Sequence, residues 1–168
     1  MKKVLKKLKY REIGNILFQR MPGSDLKILP LPSALQLKIF DKNIRTGINI
    51  IDRNKNSNNV CYAVFDNEKI VHTSWIFRNK LLAKQLGYNN ALTIGDSVTA
   101  EPYRGMGIYP AVLSCIEQHF KNYQLIIFTE PANTASQKGI LKAGFTRLYR
   151  FKLIRLLGLK IYLKRYAD

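Results

Sequence analysis

The stretch Tyr103-Arg104-Gly105-Met106-Gly107-Ile108-Tyr109 decides the fold, because it joins an apolar extended run to a helical one through two glycines two residues apart. Glycine lets the backbone turn tightly and lie close to a ligand, and the following helix directs unpaired N–H groups and its positive dipole end into that turn. The stretch reads as a cradle for a pyrophosphate. Its spacing is neither G-x-x-x-x-G-K-[ST] nor G-x-G-x-x-G, which disfavours a mononucleotide P-loop and a dinucleotide Rossmann site.

The flanks strengthen the reading. Ala91 to Thr99 (ALTIGDSVT) has strand character, and Tyr109 to Phe120 carries Val112, Leu113, Ile116 and Phe120 on one helical face. Gln124 to Thr129 (QLIIFT) is β-branched and aromatic enough for a fully buried strand. Strand, glycine turn, helix and strand make a βαβ crossover, which is expected to be right-handed and to set the two strands side by side. The turn then lies at their carboxyl ends, the edge where open α/β sheets bind ligands.

With these residues in view, the chain resembles the GNAT superfamily of acyl-CoA N-acyltransferases. Arg104-Gly105-Met106-Gly107 is similar to that family's [QR]-x-x-G-x-[GA] signature, with a departure at the last position, occupied by Tyr109. Downstream, Asn133-Thr134-Ala135-Ser136 and Lys142-Ala143-Gly144-Phe145 resemble the family's fourth helix. The resemblance covers roughly residues 58 to 150. It implies an α/β fold with a mixed, mostly antiparallel central sheet, flanking helices and a V-shaped split between the family's strands four and five. It also implies acetyl-CoA or another acyl-CoA as cosubstrate. The pantetheine arm would pair with the backbone at Val98 and Thr99, and the pyrophosphate would sit on amides of Arg104, Gly105, Met106, Gly107, Ile108 and Tyr109. Asn133 either orients the pantetheine or caps the next helix, Ser136 is a small residue that permits close approach, and Gly144 reads as a C′ helix stop.

Acyl transfer needs a neutral amine, a route for its proton and donors for the developing oxyanion. Asp96 and Glu130 are the carboxylates in sequence beside the split, and they are the candidate catalytic residues. Strand alternation could turn Asp96 away, a bulge could reverse that parity, and Glu130 before Pro131 could merely shape the strand's exit. By resemblance, the backbone N–H near Val98 polarises the carbonyl. Family members often carry a tyrosine seven residues after the helix asparagine, near the leaving thiolate. Here that position is Ile140, so the proton has to come from water, from Tyr109 or Tyr103, or from the released ammonium.

The chain has 168 residues, one domain spanning 1–168 by length. No apolar run is long enough to span a bilayer and no secretory h-region is evident, so a cytoplasmic protein is expected. Cys61 and Cys115 lack metal-ligand spacing and suit buried thiols in a reducing compartment. His72 and His119 are the only histidines, which leaves no zinc set, and a Cys115–His119 dyad at i,i+4 has little else to support it.

Charge is the second unusual feature. The formal balance is +17, and residues 1 to 20 and 146 to 168 each hold seven Lys/Arg against one acidic residue, so these ends carry +12 of it. Such an excess speeds encounter with anions. The phosphates of CoA use only part of it, which points to an acidic or glycan-linked amine acceptor, an anionic membrane surface, or nucleic acid; a solvated basic face stays open beside them. Residues 2 to 10 read either as a basic amphipathic helix on lipid or as a cover for the core. Residues 13 to 18 begin a strand, Val60–Phe65 and Lys69–Phe77 form a hairpin, and 52–59 is a polar loop. Residues 145–157 and 159–166 suggest two strands turning at Gly158, with loops 42–59 and 78–90 setting specificity. The leading reading is an N-acyltransferase, with a nucleic-acid or ribosome-associated protein and an inactive CoA-binding membrane-surface module as alternatives.

Overall fold

Leu125-Ile126-Ile127-Phe128-Thr129 sends alternate side chains into two apolar clusters, Leu125 and Ile127 into one and Ile126 and Phe128 into the other. A strand covered on both faces belongs at the centre of a sheet, and this one does lie there. The computed structural model describes residues 11–41, 59–78, 80–156 and 159–166, with side chains described for 14–41, 59–78 and 80–152. The strands are β1 (Arg11–Arg20), β2 (Gln36–Phe40), β3 (Val60–Asp66), β4 (Lys69–Phe77), β5 (Leu92–Thr99), β6 (Leu125–Thr129), β7 (Thr146–Leu156) and β8 (Leu159–Tyr166). The helices are α1 (Leu81–Gln85), α2 (Ile108–His119) and α3 (Thr134–Lys142).

All eight strands join one sheet in the order β2-β3-β4-β5-β6-β1-β7-β8. Every pairing is antiparallel except β5 with β6, the two strands joined through α2. The sheet is thus the mixed, mostly antiparallel one implied by the resemblance. β5 and β6 correspond to the family's strands four and five, and α3 to its fourth helix.

The period of two distributes the core. Tyr62 and Val64 of β3, Ile94 of β5 and Ile16 and Phe18 of β1 face α2 and α3, where Ile108, Val112, Leu113, Ile116 and Ile140 meet them. Leu17, Ile126 and Phe151 face the other way onto Leu82, Ala83 and Leu86 in and just after α1. Each fully buried side chain of this size contributes roughly 1.5–3 kcal/mol of apolar transfer. Ser114 is buried in α2, where its Oγ donates to the Lys27 carbonyl at 2.6 Å and accepts from the Leu29 amide at 3.1 Å, pinning the chain before β2 over the helix.

Two elements go beyond the sequence reading. β2 is largely exposed, with only Leu37 and Phe40 packed against the core clusters, and its pairing with β3 makes it a strand. The segment 78–90, read as loop, contains α1, whose five residues are too few to display a period but bury Leu82 and Ala83. Cys61 is buried as expected, whereas Cys115 is only half-buried. Gly144 does end α3 at φ +94°, with its amide on the Leu141 carbonyl and that of Phe145 on Ile140. The expected helix at 2–10, the loop at 52–58 and the turn at Gly158 lie outside the described residues.

Arg20 ties β1 to both helices. Its Nη1 donates to the Gly144 carbonyl at 2.6 Å, and its Nε lies 3.6 Å from Glu117 Oε2. Glu117 is 2% exposed, and neither carboxylate oxygen accepts a hydrogen bond among the described residues. Burial pushes its carboxyl up to about 7, against the opposing pull of Arg20. Between the ordinary 4.5 and about 7 the folded chain holds a proton that the unfolded chain has lost. This contribution to stability is therefore full below that window and is lost as pH rises through it. Glu117→Gln is expected to be more stable than the parent at pH 8 by roughly 1–3 kcal/mol and to approach it at pH 5, measured as urea midpoints.

Candidate functional site

β5 and β6 begin as parallel neighbours, Leu92 to Ile94 opposite Leu125 to Ile127, and share no further rung. Beyond Ile94, β5 stays with β4, Gly95 facing Trp75 and Val98 facing Thr73. Phe128 and Thr129 of β6 stay with β1, opposite Leu17 and Ile16. The two arms diverge because β5 takes three residue steps where β4 takes two, and the extra residue forms a bulge that bends the strand. Asp96 lies in this bulge at φ +49°, a left-handed conformation that aspartate tolerates better than most residues. It is exposed, as is Val98, while Ser97 and Thr99 are half-buried.

The glycine turn follows at the end of β5. A single 3-10 turn, Glu101–Tyr103, is fixed from outside, with Tyr103 Oη donating to Asp66 Oδ2 at 2.7 Å in the β3–β4 hairpin. That bond pushes the Tyr103 hydroxyl's pKa up and turns the residue away from the diverging arms. Arg104 donates from Nε to the Thr99 carbonyl at 3.3 Å. Its contact with Glu101 is exposed at both ends and adds little. Gly105 and Gly107 adopt φ +81° and +78°, and a Cβ on either would have nothing within 4 Å. The amides of Gly105 through Tyr109 donate to no acceptor among the described residues. Pro110, which has no amide, occupies the first turn of α2, where helical amides are unpaired in any case. The arrangement is a run of unpaired main-chain donors at a helix N-terminus, chemistry suited to a phosphate.

On the opposite arm, Asn133 caps α3, its Oδ1 accepting from the Ser136 amide at 3.0 Å. Glu130 is exposed just past β6, and its carbonyl accepts from the Asn133 amide at 3.0 Å. Ile140, in the position where the family often has tyrosine, is completely buried in the core. His119 does not meet Cys115; its Nδ1 lies 2.9 Å from Tyr62 Oη, and burial pushes the Cys115 thiol up, so no thiolate dyad forms. Among the described residues no group of three or more His, Cys, Asp or Glu could hold a metal, and no helix is long and apolar enough to cross a membrane.

Tyr109 departs most from the signature, and the structure gives it a specific seat. Its ring centroid lies 5.8 Å from that of His72, and its Cδ1 lies only 2.9 Å from where a Cβ on Gly139 of α3 would be. Burial pushes its hydroxyl up, while the hydroxyls of Ser136 and Ser97, approaching from the two arms, pull it down. Neither approach closes to the geometry of the neighbouring hydrogen bonds. Those neighbours are Thr99 Oγ1 to His72 Nδ1 at 2.7 Å, His72 Nε2 to Ser74 Oγ at 2.8 Å, and Ser74 Oγ to Ser97 Oγ at 2.8 Å. Burial lowers His72 to about 4, so its imidazole is neutral near pH 7. His72, Ser74 and Ser97 were not among the residues singled out from the sequence. Their signal was polar residues two apart on one face of each strand, His72 with Ser74 and Ser97 with Thr99.

Solved structures share this architecture. A GNAT-family acetyltransferase from Colwellia psychrerythraea matches with a TM-score of 0.58 at 19% identity, covering 88% of this chain and 57% of that one. A GCN5-related N-acetyltransferase from Sphaerobacter thermophilus matches with a TM-score of 0.60 at 13% identity, covering 92% and 55%. A GCN5-related N-acetyltransferase-like protein from Streptococcus suis gives 0.60 at 12%, covering 90% and 64%. The chain therefore has the GNAT fold and spans between about half and two thirds of the length of these structures. No protein-family model matches the sequence, and no curated protein matches it.

Gly107→Val places its side chain in open space but at φ +78°, a strain of roughly 1–3 kcal/mol. The variant is expected to fold with a lowered melting temperature and to lose affinity for CoA by at least tenfold in calorimetry. Unchanged affinity in the folded variant would remove the turn from the site.

Proposed function

We propose that this chain is an N-acyltransferase that moves an acetyl or other acyl group from acyl-CoA to a primary amine, by direct transfer in a ternary complex. One observation carries the reading: a strand edge opened by a bulge ends in a glycine turn whose amides donate to no acceptor among the described residues. Acyl-CoA supplies an activated thioester carbon when bound. The residues present fit it. The amides of Gly105, Met106, Gly107, Ile108 and Tyr109 would hold the diphosphate, and the main chain at Val98 and Thr99 is available to the amide-bearing arm because β5 has left β6. The amide near Val98 would polarise the acyl carbonyl. Asn133 serves as the α3 cap, with Ser136 in its first turn.

Asp96 and Glu130 are both exposed, so each could take the amine proton directly or through water. The proposed acceptor is a small or carbohydrate amine, including an amino sugar of a surface-glycan pathway. The balance of +17 favours an acceptor that carries negative charge and a cytoplasmic protein working at the inner membrane face. Calorimetry with acetyl-CoA, followed by thiol release across a panel of amines, tests the proposal. Binding with amine-dependent thiol release is expected, and failure to bind acetyl-CoA, propionyl-CoA and CoA alike would overturn it.

A second reading has its own observation. Across β1, β7 and β8, Arg11 stands opposite Arg155 and Arg155 opposite Lys160. Like charges at facing positions disfavour the sheet unless an anion offsets them. A polyanion-binding edge, on a chain that retains CoA binding without catalysis, accounts for this pattern. Affinity for a single-stranded oligonucleotide is then expected to fall steeply between 50 and 200 mM salt, as for any binding that releases counterions, while sedimentation with anionic vesicles would identify a membrane surface instead.

A further inference from the structure

The most unusual feature between β4 and β5 is a largely buried row of hydroxyls around one imidazole. Thr99, His72, Ser74 and Ser97 are joined by three hydrogen bonds of 2.7 to 2.8 Å, and the Tyr109 ring packs against His72 at its edge, its centroid 5.8 Å from that of the imidazole. His72 and Ser74 are at most 1% exposed, in a strand whose neighbours are apolar. Such polar groups are costly to bury and are tolerated when each finds a partner, which makes the row a specific arrangement rather than a solvated surface.

Its place matters as much as its composition. Ser97 lies beyond Ile94, the last residue of β5 that pairs with β6, and Ser136 lies in the first turn of α3 on the other arm. Tyr109 therefore stands where the arms part. Gly139 supports the seat: in the middle of α3 glycine costs about 1 kcal/mol relative to alanine, and alanine there would press its Cβ into the tyrosine ring. The family's usual tyrosine position is Ile140, sealed in the core.

We infer that Tyr109 gives the departing sulfur its proton in place of the family's helix tyrosine, and that Ser97, Ser74, His72 and Thr99 form the path that replenishes it. The inference rests on the acyl-transfer reading. A neutral imidazole has one donor and one acceptor nitrogen, so the tautomer of His72 sets the direction of every bond in the row. As the amine nitrogen bonds to the acyl carbon, the carbon–sulfur bond breaks with its electron pair on sulfur. Tyr109 donates its proton to that sulfur and, once its hydroxyl closes on Ser97, takes one from it; Ser97 takes one from Ser74, and Ser74 takes the Nε2 proton of His72. His72 takes a proton at Nδ1 from Thr99, which is replenished by water. The amine proton passes to water, so amide and thiol form with no net change in protons. Rotation of the hydroxyls and proton exchange at His72 restore the starting direction.

Tyr109→Phe keeps the ring against His72 and Gly139 and removes only the hydroxyl. With acetyl-CoA and an amine that the parent acylates, kcat is expected to fall by roughly 10²-fold or more while the KM for amine and the calorimetric affinity for CoA stay within about twofold. Ser97→Ala is expected to lower kcat less and to add little on top of Tyr109→Phe, since the two act in one path. A readout independent of turnover is the ¹⁵N spectrum of His72 in the protein alone, where Ser97→Ala should change the tautomer ratio. Tyr109→Phe with parental kcat, or an imidazole indifferent to Ser97→Ala, would overturn the inference while leaving acyl transfer standing. A parent that binds no acyl-CoA overturns both.

Discussion

One residue too many in β5 organises the molecule. Backbone amides and carbonyls have to be paired or solvated, so a strand that leaves its neighbour exposes a row of donors and acceptors along its edge. At the Asp96 bulge β5 stays with β4 and abandons β6 after Ile94, and the opened edge lies next to the glycine turn that begins α2. The remaining architecture holds this opening in place. β6 is clamped by β1 and covered on both faces, α2 is buried along most of its circumference, and Arg20 joins β1 to the end of α3.

The same opening gives each departure from the family signature a physical context. A tyrosine at the signature's last position would burden a turn that needs only a small residue, yet here the ring packs between His72 and the glycine of α3. An isoleucine where the family has a hydroxyl closes the core under α3 with no polar atom to satisfy. Tyr103, the other aromatic of the turn, is bound to Asp66 and braces the turn from the hairpin side. In this chain the hydroxyl near the opening lies on the helix before β6, at Tyr109, and the facing position of the helix after it is the apolar Ile140. Groups in contact are able to change together in this way because each one's cost depends on its neighbour.

Charge follows a separate logic. The basic rows across β1, β7 and β8 lie on the far side of β6 from β4 and β5, and nothing in the site requires them. They contribute positive charge to the field of the whole molecule rather than to one pocket.

The sequence by itself determined the strands β1 and β3 to β8, the helix α2, the glycine turn and the Gly144 stop, because each rests on a local cue: an apolar or alternating run, a period of 3.6, or a backbone angle that favours glycine; α3 was legible through motif resemblance. It also located the split, through motif resemblance, and named a bulge near Asp96 as the device that could re-aim side chains. Only the tertiary structure decided that the bulge exists, that β2 and α1 form, and that Ser97 turns inward to Ser74 while Asp96 faces out. The row from Thr99 to Tyr109 draws on residues 72, 74, 97, 99 and 109, and no local rule joins them. Their meeting depends on register between strands, where one added residue shifts every later side chain to the other face.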